Sequence, residues 1–301
     1  MNGTTPLLLY ARPVRILVTN DDGFEARGIC VLVKALADWA DQAPIGETRE
    51  LIVVAPNKNH SGAATAVGEV FNRDGIEYHR VALTGVERVE AYALDAPPAL
   101  CAIVGCRGAF GPRPDLIVSG INAGINVGNS VLHSGTIGAV LTGSQIGVSG
   151  LAVSMQAIKH APYETAAHLA IGVLEDLSNA PVGTVFSLNV PALAFEELKG
   201  IRHGRVATAG IIKEAMHNPD GSDRVLKVGE KGKLELRLGA AVPALGDVST
   251  ESSDTDDGAL VANGYATLTA LRTVHDDTEP ASEAMVRAAI SATEQHITGI
   301  S

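Results

Sequence analysis

The sequence predicts an α/β fold with a mostly parallel sheet and helices on both faces, because buried strands alternate with amphipathic helices through residue 190. The predicted strands are short runs rich in Val, Ile, Leu and Ala, at 14–19, 51–55, 115–119, 150–154 and 185–190. The predicted helices show apolar residues three and four positions apart or continuous apolar character, at 26–40, 96–104, 137–146 and 163–177.

The first strand, 14–19, runs into Asn20-Asp-Asp-Gly23, a sequence typical of a turn. The helix that follows places its apolar side chains on one face, namely Ile29, Leu32, Val33 and Leu36. Pro56 ends the second strand, and a polar, Gly-containing loop over 57–62 follows it. The third strand enters a loop rich in Gly and Asn at 120–129.

Residues 69–94 are polar and β-like, which predicts a hairpin excursion. After Pro191 the sequence carries more charge and shorter β-like runs, and it ends in a predicted helix over 279–297. We therefore predict a catalytic domain at 1–195 and a smaller β-rich segment at 196–301 with a terminal helix. Within the acidic stretch 246–258, Asp254-Thr-Asp-Asp257 is predicted to be a solvated turn.

The composition excludes several classes of protein. The formal net charge of −11 disfavours a stable complex with nucleic acid, which requires a basic surface. The apolar runs are too short for a membrane span, and no secretory signal is recognisable. Three cysteines without metal-site spacing, Cys30, Cys101 and Cys106, predict buried thiols in a reducing compartment. We therefore expect a cytoplasmic protein.

Asp21 and Asp22 are the first candidates for a chemical role. Two adjacent carboxylates at a strand end repel each other, and a divalent cation with a preference for oxygen ligands would relieve that repulsion. An ordinary Asx turn explains the same pair equally well when the motif is taken alone. In a parallel sheet the loops after the strands lie along one edge, where ligands bind, so other oxygen donors are expected there.

Ser61 and Asn122 each lie in the loop after their own predicted strand and supply a hydroxyl and an amide oxygen, both of which suit a hard cation. Taken singly, an ST turn explains Ser61 and a left-handed loop conformation explains Asn122. Ser134-Gly-Thr136 stands at a predicted helix start, where free N–H groups and the helix dipole favour an anion. An N-terminal cap explains these residues as well, and the two roles are compatible. Asn126 can donate its side-chain amide to a phosphate oxygen.

Four motifs in order resemble the SurE (survival protein E) nucleotidase family. They are Val18-Thr-Asn-Asp-Asp-Gly23, Val54-Ala-Pro-Asn-Lys-Asn-His-Ser-Gly62, Ser119-Gly-Ile-Asn-Ala-Gly-Ile-Asn-Val-Gly128 and Ser134-Gly-Thr136. Leu188-Asn-Val-Pro191 and Gly264-Tyr265 also resemble family positions. The resemblance spans about residues 14–191 and extends more weakly to 271.

The resemblance implies a Rossmann-like domain that hydrolyses nucleoside 5′- and 3′-monophosphates with one divalent cation, Mg²⁺, Mn²⁺ or Co²⁺. It also implies a homodimer or homotetramer. The positions matching the family's metal ligands are Asp21, Asp22, Ser61 and Asn122. Those matching its phosphate-binding residues are Asn126, Ser134, Gly135 and Thr136. We expect Asp21, Asp22 and Asn126 to form the catalytic set, with a metal-activated water as the nucleophile.

Two alternatives remain at the level of the sequence. Asp21 could act as a nucleophile and form an aspartyl-phosphate, although Asn20-Asp-Asp-Gly23 lacks the Asp-x-Asp pattern of that mechanism. The chain could instead bind nucleotides without cleaving them. A dinucleotide-binding oxidoreductase is disfavoured, since no Gly-x-Gly-x-x-Gly follows the first strand.

Overall fold

The computed structural model describes residues 13–68, 70, 74–208, 212–217, 228–232, 234–238, 255–274 and 278–298, and it confirms the α/β class. The strands are β1 (Val14–Thr19), β2 (Arg49–Pro56), β3 (Tyr78–Val81), β4 (Glu90–Leu94), β5 (Leu116–Ala123), β6 (Ser149–Met155), β7 (Val185–Val190), β8 (Ile201–His203), β9 (Ile212–His217), β10 (Leu234–Leu238) and β11 (Ala266–Leu271). The α-helices are α1 (Arg27–Asp41), α2 (Pro98–Cys106), α3 (Gly135–Gln145), α4 (Tyr163–Leu177), α5 (Asp257–Ala262) and α6 (Pro280–Thr298).

A nine-stranded sheet in the order β3-β4-β2-β1-β5-β6-β7-β11-β8 forms the centre of the fold. The six strands from β4 to β7 are parallel, while β3 and β11 run antiparallel to their inner neighbours. Strand β1 lies between β2 and β5, so the chain proceeds to one side of β1 first and to the other side later. In such sheets ligands bind beyond the carboxyl ends of the strands at this switch point.

Helices cover both faces of the sheet, as predicted. One core cluster joins α1 and α4 to one face through Ile29, Leu32 and Leu174. The other joins α2 and α3 to the opposite face through Leu100, Ile137 and Val140. Strands buried on both faces explain why their sequences are continuously apolar and do not alternate.

The structure changes two details of the strand prediction. Strand β4 is a parallel member of the main sheet beside β2, and only its pairing with β3 matches the predicted hairpin. Strand β5 continues to Ala123 after a shift in register, whereas the sequence predicted a loop from Gly120. Gly120 permits this path, because its φ is +140° and a Cβ there would lie 2.3 Å from the Val153 carbonyl oxygen.

Strands β8 and β11 extend the main sheet, and β9 and β10 form a separate antiparallel pair. Contacts divide the chain into one compact unit ending at Leu271 and another beginning at Arg272. In the second unit, α6 carries an ion pair one turn apart between Arg287 and Glu283 at 3.1 Å. The predicted functional division into 1–195 and 196–301 stays a prediction.

The prediction for Asp254-Thr-Asp-Asp257 was wrong at Asp257. Its side chain is only 1% exposed and begins helix α5, whereas the sequence indicated a solvated turn. Backbone N–H groups around the carboxylate take the place of water. Residues 246–254 of the acidic stretch lie outside the described part of the chain.

Candidate metal and phosphate site

Three loops and the start of α3 meet around Asp21 and Asp22, at the switch point of the sheet. The His60 N–H donates to the Asp21 backbone carbonyl at 2.7 Å, which joins the β2 loop to the β1 loop. The Ala123 N–H donates to Asp22 Oδ2 at 3.1 Å, which adds the end of β5. The Thr136 hydroxyl donates to Asp21 Oδ1 at 2.7 Å and adds α3.

The turn after β1 is closed by its own first residue. Asn20 Nδ2 donates to the Gly23 carbonyl at 2.8 Å, and Asn20 is fully buried. Gly23 has a φ of +98°, and a Cβ there would lie 3.1 Å from the Lys58 carbonyl carbon. A residue with a side chain would be strained at this position and would press on the β2 loop. The predicted turn is therefore confirmed, and its Gly keeps the two loops in contact.

The Asp21 carboxylate is buried beside a second carboxylate. Asp21 is only 3% exposed. Burial raises the pKa of Asp21, the Thr136 hydroxyl opposes that rise, and the charge of Asp22 adds to it. Within the described part of the chain, no cationic side chain pairs with Asp21. Its charge thus lacks a positive partner, which is the situation that a bound cation corrects.

Asp22 is half-buried and connects to Ser61 through one intermediate residue. Asp22 Oδ1 accepts from Asn59 Nδ2 at 3.2 Å, and Asn59 Oδ1 accepts from the Ser61 N–H at 2.8 Å. Ser61 itself is exposed. Asn59, which the sequence analysis did not single out, therefore fixes the β2 loop to the carboxylate that follows β1.

The Asn122 side chain makes a hydrogen bond through its nitrogen within its own loop. Asn122 Nδ2 donates to the Gly124 carbonyl at 2.6 Å. The next residue, Ala123, donates to Asp22, so the backbone next to Asn122 is joined to that carboxylate. Such an amide presents its oxygen as a neutral ligand, and hard cations accept that ligand.

The donor set fits a hard divalent cation. Asp21, Asp22, Ser61 and Asn122 offer only oxygen ligands, the chemistry that Mg²⁺ and Mn²⁺ prefer. No group of three His, Cys, Asp or Glu side chains suited to a metal occurs in the described residues.

The start of α3 faces Asp21 more closely than the sequence indicated. Ser134 caps the helix and accepts from the Ile137 N–H at 3.1 Å. A Cβ on Gly135 would lie 2.8 Å from Asp21 Cβ, so only Gly allows this approach. Thr136 is fully buried, and both its hydroxyl and its backbone N–H donate to Asp21. Thr136 therefore orients Asp21; its predicted contact with phosphate stays a prediction.

Asn126 is held in place by strand β7. Its backbone N–H donates to Asn189 Oδ1 at 2.7 Å, and its carbonyl accepts from Asn189 Nδ2 at 3.0 Å. Its side-chain nitrogen donates to Ser154 Oγ at 2.8 Å. The roles of Asn189 and Ser154 were not predicted from the sequence. The available signal for Asn189 was an Asn within the mostly apolar strand β7.

The sequence of this chain matches a known protein family. The protein-family model described as "Survival protein SurE" matches residues 16–212. The chain belongs to the SurE family. The matched segment contains every residue assigned above to the metal and phosphate site.

Named relatives of this SurE-family chain agree with the assignment. A "5'/3'-nucleotidase SurE" of Escherichia coli O1:K1 is 36% identical over 197 residues, covering 65% of this chain and 70% of that protein. The protein of the same name in Cronobacter sakazakii is 39% identical over 191 residues, covering 63% and 68%. The crystal structure of the SurE protein from Aquifex aeolicus superposes with a TM-score of 0.67 at 23% identity, covering 93% of this chain and 99% of that one. The last comparison shows a shared fold.

The remaining sequence predictions concern thiols and membranes. Cys101 and Cys106 are buried free thiols as predicted, and Cys30 is half-buried. Burial raises the pKa of Cys106 to about 12, so its reactive thiolate form is rare at neutral pH. No helix in the described ranges is both long enough and apolar enough to cross a membrane.

Proposed function

We propose that this SurE-family protein is a divalent-metal-dependent phosphatase that hydrolyses nucleoside 5′- and 3′-monophosphates. The family assignment and the nucleotidase names of its relatives support the reaction class. One structural observation carries the site assignment: Asp21 and Asp22 lie together at the switch point with no cationic side chain paired to Asp21 in the described residues. Hydrogen bonds join Asp22 to the loops that carry Ser61 and Asn122, which supports their assignment as further oxygen donors.

We assign the cation to the four oxygen donors Asp21, Asp22, Ser61 and Asn122, with Mg²⁺, Mn²⁺ or Co²⁺ as the metal. Bound there, the metal would supply Lewis-acid stabilisation of the phosphoryl oxygens and a water of lowered pKa. The protein orients these ligands through hydrogen bonds. Thr136 fixes Asp21, and the Ala123 N–H fixes Asp22. Asn59 holds the loop that carries Ser61.

We assign the phosphate to Asn126 and the segment Ser134–Thr136, which lies next to Asp21. Asn126 uses one amide hydrogen on Ser154 Oγ, and its second hydrogen remains for a phosphoryl oxygen. The start of α3 adds the positive end of a helix dipole. Fixed donors at the place where negative charge develops stabilise the transition state without reorganisation.

Contacts at Asp21 favour this assignment over an aspartyl-phosphate. A nucleophilic carboxylate needs an exposed oxygen in line with the phosphorus atom. Asp21 is 3% exposed, and Thr136 donates to its Oδ1. A carboxylate that binds a cation and is oriented by hydrogen bonds fits this environment better than a nucleophilic carboxylate does.

Removal of metal tests the proposed function directly. Phosphate release from a panel of nucleoside 3′- and 5′-monophosphates should stop after EDTA treatment and return with Mg²⁺, Mn²⁺ or Co²⁺. The reason is that the site has no other strong electrophile among the described residues near Asp21. Folded protein that binds nucleotides tightly but releases no phosphate with any metal would support the binding-module alternative.

Thr136→Val should weaken the site while keeping its shape, because Val nearly matches Thr in volume but its side chain cannot donate to Asp21. Hydrogen bonds to charged groups are worth about 1.5–3 kcal/mol, so we expect kcat/KM to fall roughly 10-fold to 100-fold. Thr136→Ser keeps the hydroxyl and is the matched control. Steady-state kinetics at saturating metal measure both variants. Equal activity in the Val and Ser variants would contradict the orienting role of Thr136.

We further propose a homodimer or homotetramer without a nucleic-acid partner, in the cytoplasm. The family resemblance implies the assembly, and the net charge of −11 disfavours binding to nucleic acid. Light scattering of the purified protein measures the number of subunits. The free thiols favour a reducing compartment.

A further inference from the structure

Asp257 is a buried carboxylate outside the site described above. Its Oδ1 accepts hydrogen bonds from three backbone N–H groups, those of Gly128 at 3.1 Å, Ala207 at 3.3 Å and Gly258 at 2.8 Å. Its Oδ2 also accepts from Gly128 at 3.1 Å. The side chain is 1% exposed, so water does not take over these contacts. The carboxylate thus joins three separate stretches of backbone.

One of those stretches leads directly into the proposed phosphate site. Gly128 begins a 3-10 helix, Gly128–His133, that connects Asn126 to Ser134. The second contact to the same region comes from Asn129, whose Nδ2 donates to the Thr208 carbonyl at 2.7 Å. Asp257 and Asn129 therefore fix this connecting segment to the chain after β8.

The segment is also held at both of its ends. Asn189 binds the backbone of Asn126 on one side, and Ser134 caps α3 on the other. Among the seven residues between Asn126 and Ser134, the Ala64 N–H also donates to the His133 carbonyl at 3.3 Å. Asp257 and Asn129 therefore hold the first half of the segment, which lies next to Asn126. Small displacements of binding groups are costly for catalysis, because the transition state demands a fixed geometry.

We propose that Asp257 is a positioning residue for the phosphate site, acting through the segment Gly128–His133. This inference rests on the proposed function, since it assigns phosphate to Asn126 and Ser134. The metal ligands depend on other contacts: Thr136 holds Asp21, and Ala123 holds Asp22. Gly128 lies two residues from Asn126 and six from Ser134, so loss of Asp257 displaces Asn126 first. The contact between Thr136 and Asp21, and with it metal affinity, is then largely retained.

The test compares inorganic phosphate and Mn²⁺ as probes by calorimetry on the full chain. In Asp257→Ala the dissociation constant for phosphate, measured with Mn²⁺ present, should rise roughly 10-fold or more, because several buried N–H groups lose their acceptor. The dissociation constant for Mn²⁺ should stay within about twofold. In Asp257→Asn an amide oxygen at the Oδ1 position keeps the acceptor for Ala207 and Gly258, but the amide nitrogen replaces the Oδ2 acceptor 3.1 Å from the Gly128 nitrogen. Phosphate affinity should therefore recover in part, to a value between those of Asp257→Ala and the wild type.

Val261→Ala is the matched control, since Val261 is fully buried in the same helix α5. It should lower thermal stability without changing phosphate affinity. Equal phosphate affinity in Asp257→Ala and wild type, or an equal loss in Val261→Ala, would overturn the proposal. An equal loss of Mn²⁺ affinity in Asp257→Ala would overturn it as well.

If Asp257→Ala does not fold, Asn129→Ala tests the role of the segment Gly128–His133 instead. Asn129 is exposed, and its substitution removes only one hydrogen bond. Phosphate should then bind roughly 2-fold to 10-fold more weakly, and unchanged affinity would refute the role of the segment. Nucleotide turnover by the wild type is measured separately. A wild type that binds phosphate but cleaves no nucleotide refutes the proposed function, while the variants still decide the role of Asp257.

Discussion

Asp21→Asn is expected to abolish nearly all nucleotide hydrolysis while the protein stays folded. The substitution keeps the size of the side chain and an acceptor for Thr136, but it removes the charge that would attract a cation. We expect kcat/KM to fall by about 100-fold or more, the range for loss of a major electrostatic contribution to the transition state. Steady-state kinetics over a range of Mn²⁺ concentrations measure this. Turnover like that of the wild type in Asp21→Asn or Asp22→Asn would refute the metal site.

Thermal unfolding separates a lost metal site from a damaged fold. In EDTA, Asp21→Asn should be at least as stable as the wild type, because the neutral amide avoids burial of a charge that has no cationic partner among the described residues. With Mn²⁺ at 100 times its dissociation constant, the wild type gains about 2.7 kcal/mol and the variant gains little. Added metal should therefore raise the melting temperature of the wild type much more than that of the variant, so that the wild type becomes the more stable of the two.

Asp22→Asn provides the comparison for that experiment. Asp22 is half-buried and accepts hydrogen bonds from Ala123 and Asn59, so its charge is more hydrated in the absence of metal. Its apo stability should stay close to that of the wild type. An Asp21→Asn variant that is clearly less stable than the wild type in EDTA would show that Asp21 has a structural role.

The sequence predicted the parts of the fold that local pattern determines. Continuous apolar runs identify buried parallel strands, and the ends of β1, β2 and β5 carry the polar loops that meet at the switch point. Loops after parallel strands share one edge, so the proximity of Asp21, Ser61 and Asn122 segments followed from topology. The position of each donor did not.

Contacts between distant parts of the chain escaped prediction. Asp257 and Gly128 are 129 positions apart, and Asn126 and Asn189 are 63 apart. Nothing local distinguishes Asp257 from a solvated Asp in an acidic stretch, because two of the three residues whose N–H groups replace water, Gly128 and Ala207, are far away in the sequence. Thr136 shows the same limit: the motif indicates a helix cap, whereas the fold directs its hydroxyl to Asp21.

Among the substitutions proposed here, Gly28→Ala should cause the largest loss of folding stability, because it displaces helix α1. A Cβ on Gly28 would lie 1.9 Å from the Ile121 carbonyl oxygen and 2.9 Å from its carbon. Both atoms belong to backbone, so α1 and β5 must separate. We expect the free energy of unfolding to fall by roughly 3 kcal/mol, the upper part of the range for overpacking. Because Ile121 precedes Asn122, metal affinity should fall as well.

Gly172→Ala is the matched control for Gly28→Ala. Gly172 lies within α4, and a Cβ there would meet nothing within 4 Å. Ala is the better helix former by about 1 kcal/mol, so this variant should gain stability. Urea denaturation of both variants in EDTA measures the difference, and calorimetry with Mn²⁺ measures metal affinity. The same chemical change then acts in opposite directions, because one glycine is required by a close approach of helix and strand and the other is not. Equal stability of the two variants would mean that α1 does not lie this close to β5.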